Sequence, residues 1–377
     1  LLFGGLVFHE TRSKVVSILA SLLFLFSVPL FMRFTWALTE PLFFALLFGN
    51  FMMYYAFLQT RKSGWVVGLG LGTAMLFLAR YVGVFMAAVW LTAILLLSVP
   101  KTRLKNGLLF LAGLIPLMGV HLLRNFLLVG SLNNRGIYLQ GMPNAMPKLA
   151  PGLGVMEGWF SITGEGLTSH VITIIILGSL AAALLAGLVI SAKGLVRAKD
   201  APGKGSLLFP LMLAFLLYAA TVLLTVFFYD SQTNLDERIL SPLWFLGLHI
   251  LVLVFNRGYQ KGGVSRIVVL SSLLVLLVFS LVKFQKASAT LQADGQGFFS
   301  EKWRVLPGIE YIRGTERGLI YSDEPLAVYI LTGKVAYQVP YTVIDPQKTD
   351  AENYRHYDFM RAQLMDEEGL LAVSYTH

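Results

Sequence analysis

Glu40, Arg80, Asp236, Glu237 and Arg238 interrupt stretches that are otherwise apolar, and each is of a type that can do chemistry. An arginine presents a planar fork of donors that matches phosphate, whereas a carboxylate accepts from hydroxyls, binds cations or takes up a proton. Glu40 stands in "WALTEPLFF" immediately before Pro41. It reads either as an anion at a helix N-terminus, favoured by the helix dipole, or as a base, metal ligand or hydroxyl acceptor facing a cavity. Arg80, in "LFLARYVGVF", reads as a snorkelling side chain at the corner of a helical hairpin or as a clamp for phosphate or pyrophosphate. "YDSQTNLDERILSPLWF" gathers Asp230, Asp236, Glu237 and Arg238 ahead of an apolar run, as a solvated turn or as part of a site. Arg124 and Asn125 read as the anchor of a helix end.

Motifs of soluble catalysis are missing: there is no Walker loop, no His-Glu-x-x-His and no Gly-x-Ser-x-Gly. The six histidines, at 9, 121, 170, 249, 356 and 377, lack ligand spacing. "GLGLG" (68–72) resembles a nucleotide loop only superficially; in mid-membrane, glycines at this spacing let helices pack closely. The absence of cysteine excludes disulfides, thiolate metal sites and cysteine nucleophiles, and leaves the compartment open.

These residues must be positioned by helices in a bilayer. The chain has 377 residues, of which 56% are hydrophobic and 14% charged, with a mean hydropathy of +0.69, more apolar surface than one soluble core can hide. That excludes an ordinary cytoplasmic enzyme. Apolar runs long enough to span lie at 14–32, 37–58, 106–128, 168–190, 207–229, 240–256 and 265–284. Residues 64–98 are too long for one span and are cut only by Arg80, so they read as two short spans meeting there. Residues 1–8 read as the tail of an earlier helix, which makes nine full spans. The chain opens at Leu1 inside an apolar run, and we read this as a truncation.

Basic residues support this arrangement, because lysine and arginine accumulate in cytoplasmic loops. One set of alternate loops carries 14 basic residues against two acids, net +12; the other carries eight against six, net +2. The overall charge of +9 therefore reflects orientation in a membrane and not nucleic acid binding. Glu40, Arg80, Asp236 and Arg238 all fall on the outer face, as does the long loop 129–167. Within that loop "GVMEGWFSI" (154–162) reads as an interfacial segment with Trp159 and Phe160 in the headgroup layer, and 141–154 as a Pro- and Gly-rich loop.

Residues 287–377 carry eight basic and 13 acidic side chains and no run long enough to span. They read as a small α/β domain on the outer side, with strands at 318–322 and 334–340. Between these lies a helix over 324–333 closed by Gly333. A second helix, started by Asp350, buries Tyr354, Tyr357, Met360 and Leu364, and the strand "LLAVSYT" follows.

Several segments together resemble the glycosyltransferase C superfamily, specifically bacterial enzymes similar to dolichyl-phosphate-mannose protein mannosyltransferases and lipid A aminoarabinose transferases. "ALTEPLFFALLF" is similar to that family's Ser/Thr-Glu-Pro-Leu-Phe helix start. "GLGLGTAMLFLARYVGVFMA" is similar to its helix ending in Thr/Ala-Arg-Tyr-x-Gly. "LDERILSPLWFLGL" is similar to its Asp-x-Arg-Tyr-x-x-Pro-Leu start of a late span, with Ile239 replacing the aromatic. "LIYSDEPLAVYILTGKVAYQVP" is similar to the outer tail of many bacterial members.

The resemblance implies an all-α polytopic enzyme of the plasma membrane, residues 1–286, with an extracytoplasmic α/β domain, 287–377. It would move a sugar from a polyprenyl-phosphate donor to an acceptor hydroxyl or amine of a glycan, lipid or protein, with inversion. It places Arg80, Tyr81 and Arg238 on the substrate, chiefly the carrier phosphate, with Asp236 orienting Arg238. Glu40 serves as the catalytic carboxylate that positions the sugar, or holds a divalent metal ion if one is used. The family's decisive acid belongs to an earlier loop, so the resemblance leaves the base unassigned. Three other readings compete: a lipid-linked sugar flippase or other transporter, an oligosaccharide polymerase or ligase, and a scaffold whose tail binds a partner.

Overall fold

The computed structural model describes residues 2–35, 39–130, 132, 151–159, 178, 181–193, 207–229, 235–316, 318–340, 350–366 and 369–372. The chain divides into two compact units, Leu1–Gln285 and Lys286–His377. The first is helical: α1 (Leu2–Thr11), α2 (Lys14–Leu25), α3 (Val28–Phe34), α4 (Glu40–Thr60), α5 (Ser63–Ala79), α6 (Phe85–Leu97), α7 (Arg103–Val129), α8 (151–159), α9 (Ala181–Lys193), α10 (Leu208–Leu224), α11 (Glu237–Gln260) and α12 (Gly263–Asp294).

Local chemistry explains where these helices start and stop. Ser13 accepts from the Val16 N–H to start α2, and Asp236 accepts from the Ile239 N–H at 3.0 Å to start α11. Gly130 adopts a left-handed φ of +74°, which closes α7. A break at Phe26–Ser27, with Pro29 in the first turn beyond it, bends α3 by 59° from α2.

Arg80 ends α5 in extended backbone and is followed by a 3-10 turn, Tyr81–Val84, before α6. The apolar run 64–98 is thus divided at the residue that the sequence singles out. Gly83 lets this corner fold back on α5, since a Cβ there would lie 2.7 Å from the Leu76 carbonyl oxygen.

Among the described residues, five helical stretches are long and apolar enough to cross a bilayer: Glu40–Thr60, Pro100–Leu128, Leu208–Phe227, Glu237–Gln260 and Gly263–Asp294. Counting the bent pair α2–α3 as one span makes six. Helices α5, α9 and the segment Tyr81–Leu97 are apolar but shorter. The expectation of nine full spans exceeds what these lengths establish; of the run 168–190, only 178 and 181–190 are described.

Aromatic side chains fill the core of this unit. Phe245 of α11 meets Phe44 and Phe48 of α4 edge-on, at ring distances of 5.7 and 4.7 Å. Between α5 and α7 the glycine-rich stretch works as close packing: a Cβ on Gly70 would collide with the Phe110 carbonyl, and one on Gly113 with the Val67 carbonyl. Thr73 donates to Asn50 Oδ1 at 2.9 Å and ties α5 to α4 in the same interior.

In the second unit, β1 (Ile320–Ser322) pairs in parallel with β2 (Tyr337–Gln338) and β3 (Leu370–Ala372), in the order β2-β1-β3. Short helices α13 (Glu301–Arg304) and α14 (Pro307–Gly314) precede the sheet, and α15 (Pro325–Thr332) and α16 (Asp350–Asp366) cross between its strands. Gly333, at φ +74°, stops α15. Ile312, Ile320 and Val328 pack on one side of the sheet; Leu319, Tyr321 and Met360, with Tyr357 and Leu364, pack on the other. The side chain of Tyr354 and residues 373–377 lie outside the described residues.

Candidate functional site

Three helices bring one carboxylate and two guanidinium groups together. Pro41 follows Glu40 in the first turn of α4, and the Glu40 side chain is completely buried. Its Oε1 accepts from Arg238 Nε at 2.7 Å and lies 3.4 Å from Arg80 Nη1. Arg80 is largely enclosed and lies over the Phe43 ring at 5.7 Å, whereas 43% of the Arg238 side chain remains accessible. Glu40 Oε2 is buried without a hydrogen-bond partner among the described residues.

Proline chemistry explains how Arg80 reaches α11. In a regular helix the Arg238 carbonyl would accept from the N–H of residue 242, but Pro242 has none. The orphaned oxygen instead accepts from Arg80 Nη1 at 3.3 Å and from Ser241 Oγ at 3.2 Å. The Tyr218 hydroxyl of α10 donates to the neighbouring Ile239 carbonyl at 2.6 Å. The first turn of α11 is therefore held by α5 and α10 as well as by its own cap.

Glu40 carries one negative charge and the two arginines carry two positive ones, while Asp236 at the α11 cap adds a second negative charge nearby; the accessible cation of the cluster is the Arg238 guanidinium. Such a group is suited to an anion with planar acceptor geometry. On the adjacent side of α11, Arg33 of α3 donates to Glu237 at 2.9 Å, so Glu237 is neutralised there and leaves the net charge unchanged.

No protein-family model, no curated protein and no solved structure matches this chain.

Of the sequence-selected residues, Glu40, Arg80 and Arg238 converge. Asp236 does not join them: its carboxylate caps α11 at Ile239, and among the described residues Glu40, and not Asp236, holds the Arg238 side chain. The physical reason is local, since an aspartate at the N-cap position is drawn to the unsatisfied amides of the first turn. Asp230 lies outside the described residues.

Tyr81 points to a different group. Its hydroxyl lies 3.1 Å from His121 Nε2 and accepts from Asn125 Nδ2 at 3.0 Å, and Asn125 is itself 3.1 Å from that histidine nitrogen. This cluster was missed because Asn125 resembles an anchor at a helix end, although it is buried. The signal was present: His121 and Asn125 are four residues apart and share one face of α7.

The loop 129–167 also differs from expectation where it is described. Residues 151–159 are helical, including the end of the stretch read as loop, and Trp159 is buried, with its ring 5.6 Å from that of Trp244. Phe160 lies outside the described residues.

A divalent metal does not fit at Glu40. Its carboxylate is already shared by two guanidinium groups, which would repel a third cation. Among the described residues no three His, Asp or Glu side chains gather in a way that could hold one.

Proposed function

We propose that this chain is part of a membrane-embedded glycosyltransferase that moves a sugar from a polyprenyl-phosphate donor to an acceptor at the outer face of a plasma membrane, with inversion. The observation that carries the reading is the meeting of Arg80 and Arg238, 158 positions apart, on the buried carboxylate of Glu40, with the Arg238 guanidinium left partly accessible. In this reading nine spans thread the bilayer, and residues 287–377 form an extracytoplasmic domain.

The chemistry follows from charge development. As the bond between the anomeric carbon and the carrier oxygen breaks, negative charge grows on the phosphate, and cations held in place beforehand stabilise it without reorganising. Arg238 meets that phosphate directly. Arg80 braces the Arg238 backbone and adds its field. Glu40 fixes both guanidinium groups and through them helps position the sugar. Asp236 contributes by starting α11, and Tyr81 by facing the acceptor side with His121 and Asn125. No described residue is assigned as the base that deprotonates the acceptor.

A transporter of the lipid-linked sugar is the second reading, favoured by the 59° break between α2 and α3, since broken helices line transport sites. Membranes containing the full-length protein, given radiolabelled polyprenyl-phosphate sugar, separate the two. Label transferred to an acceptor supports the transferase; label that crosses the bilayer intact and stays on its carrier overturns it.

A further inference from the structure

The C-terminal end of α11 carries a second charged site, and its lining is cationic. Arg12 follows α1, Lys14 opens α2 and Arg266 lies in the first turn of α12; with Thr11, Tyr259 and Gln260 they line one open cavity of about 480 Å³. Gln260 Nε2 donates to the Thr11 carbonyl at 3.3 Å and ties the end of α11 to the α1–α2 corner. Among the described lining residues there is no acid.

The contacts of these cations do not neutralise them. Arg266 Nε donates to the Tyr259 carbonyl at 3.4 Å, and the guanidinium lies over the Tyr259 ring at 4.8 Å, which holds the group in place with its charge intact. Lys14 makes no hydrogen bond or ion pair from its side chain among the described residues. Arg12 and Glu10, the acid nearest in sequence, both lie near the Tyr55 phenol. Glu10 also accepts from the Leu207 N–H at 3.2 Å and is not part of the cavity wall, so three cations stand against one acid. Arg12 closes α1 at a φ of +55°, which glycine adopts without strain, and the turn itself therefore does not call for an arginine. Both α2 and α12 begin here, and the positive ends of their dipoles add to the field.

Next to the cavity, Val15 and Ile18 of α2 and Val264, Ile267 and Val268 of α12 are all exposed, a surface that meets hydrocarbon when these helices are in a bilayer. Cations beside exposed aliphatic side chains match a phosphate that carries acyl chains better than a soluble anion. We propose that this cavity binds the phosphate of an anionic phospholipid whose chains lie along α2 and α12. The site is separate from the charged cluster: from 238 to 260 α11 runs about 33 Å, close to the thickness of the hydrocarbon core. Arg12, Lys14 and Arg266 belong to the loops with net charge +12, so the lipid comes from the cytoplasmic leaflet. The inference rests on membrane insertion of the helices and not on the transferase reading.

The test uses the full-length protein in nanodiscs containing phosphatidylglycerol with a photoactivatable group close to the headgroup, followed by peptide mapping, with the matching phosphatidylcholine probe as reference. Label from phosphatidylglycerol should concentrate on 11–18 and 259–268. Lys14→Gln and Arg266→Gln should each lower the preference for phosphatidylglycerol over phosphatidylcholine there by about fivefold. Both side chains are exposed, so the variants should melt like the wild type. Lys101→Gln, a loss of the same charge outside the cavity, should leave the preference unchanged. Equal labelling by the two lipids, an unchanged preference in both cavity variants, or an equal drop in Lys101→Gln would overturn the proposal. So would removal of the label by excess inorganic phosphate, which would assign the cavity to a soluble anion.

Discussion

Arg238 Nε lies 2.7 Å from Glu40 Oε1 across 198 positions of sequence, and that contact sets the first turn of α11 against the first turn of α4. A carboxylate this deeply enclosed is stable as an anion only while cations face it. Glu40→Gln should therefore lower thermal stability by roughly 3–5 kcal/mol, the range for breaking a buried pair, because two guanidinium groups lose their counter-charge. Combining it with Arg80→Met should recover part of the loss. Melting of the detergent-solubilised protein, single against double variant, checks this; additive losses would contradict it.

Pro242 makes a second claim testable. Its missing N–H leaves the Arg238 carbonyl for Arg80. In Pro242→Ala a regular helical bond competes for that oxygen, with a change of about 1 kcal/mol in stability and a larger proportional loss of donor binding than of fold. Parallel melting and donor titration measure the two. Unaltered binding would show that the bond from Arg80 to this carbonyl does not position the site.

The α5–α7 crossing should tolerate no side chain. Gly70→Val and Gly113→Val each force the helices apart against a backbone carbonyl, and each should cost roughly 1–3 kcal/mol or more, read as lower expression and melting temperature. Gly64, with open space around it, serves as the control.

Much of this architecture was legible in the sequence, for reasons that can be named. Arg80 was visible as a break because a charge in the middle of a long apolar run is costly unless the helix ends there. Gly333 and the pattern around it marked α15 between two strands because turn and cap chemistry are local. The pairing of Glu40 with both arginines was not legible, since no periodicity reports which helices neighbour one another. The resemblance assigned Asp236 to orienting Arg238, yet the cap of α11 claims its carboxylate. Trp159 looked interfacial by composition; its burial depends on Trp244, 85 positions further on.

A polar bridge through Asn125 should tie the α5–α6 corner at Tyr81 to the C-terminal part of α7. Asn125→Leu leaves the Tyr81 hydroxyl and His121 with one partner fewer, and a loss of about 1–3 kcal/mol is expected by melting, with donor binding retained. Loss of donor binding at unchanged stability would instead move this cluster into the donor site.

The most direct test of the account is binding of a fluorescent polyprenyl phosphate to the full-length protein in detergent, wild type against Arg238→Ala and Arg238→Lys. The charged cluster predicts at least about a tenfold loss for alanine, the equivalent of one charge-assisted contact, with lysine recovering only part because it lacks the planar fork. Binding that is unchanged in Arg238→Ala, in a protein that melts like the wild type, would contradict the assignment of this site to the carrier phosphate.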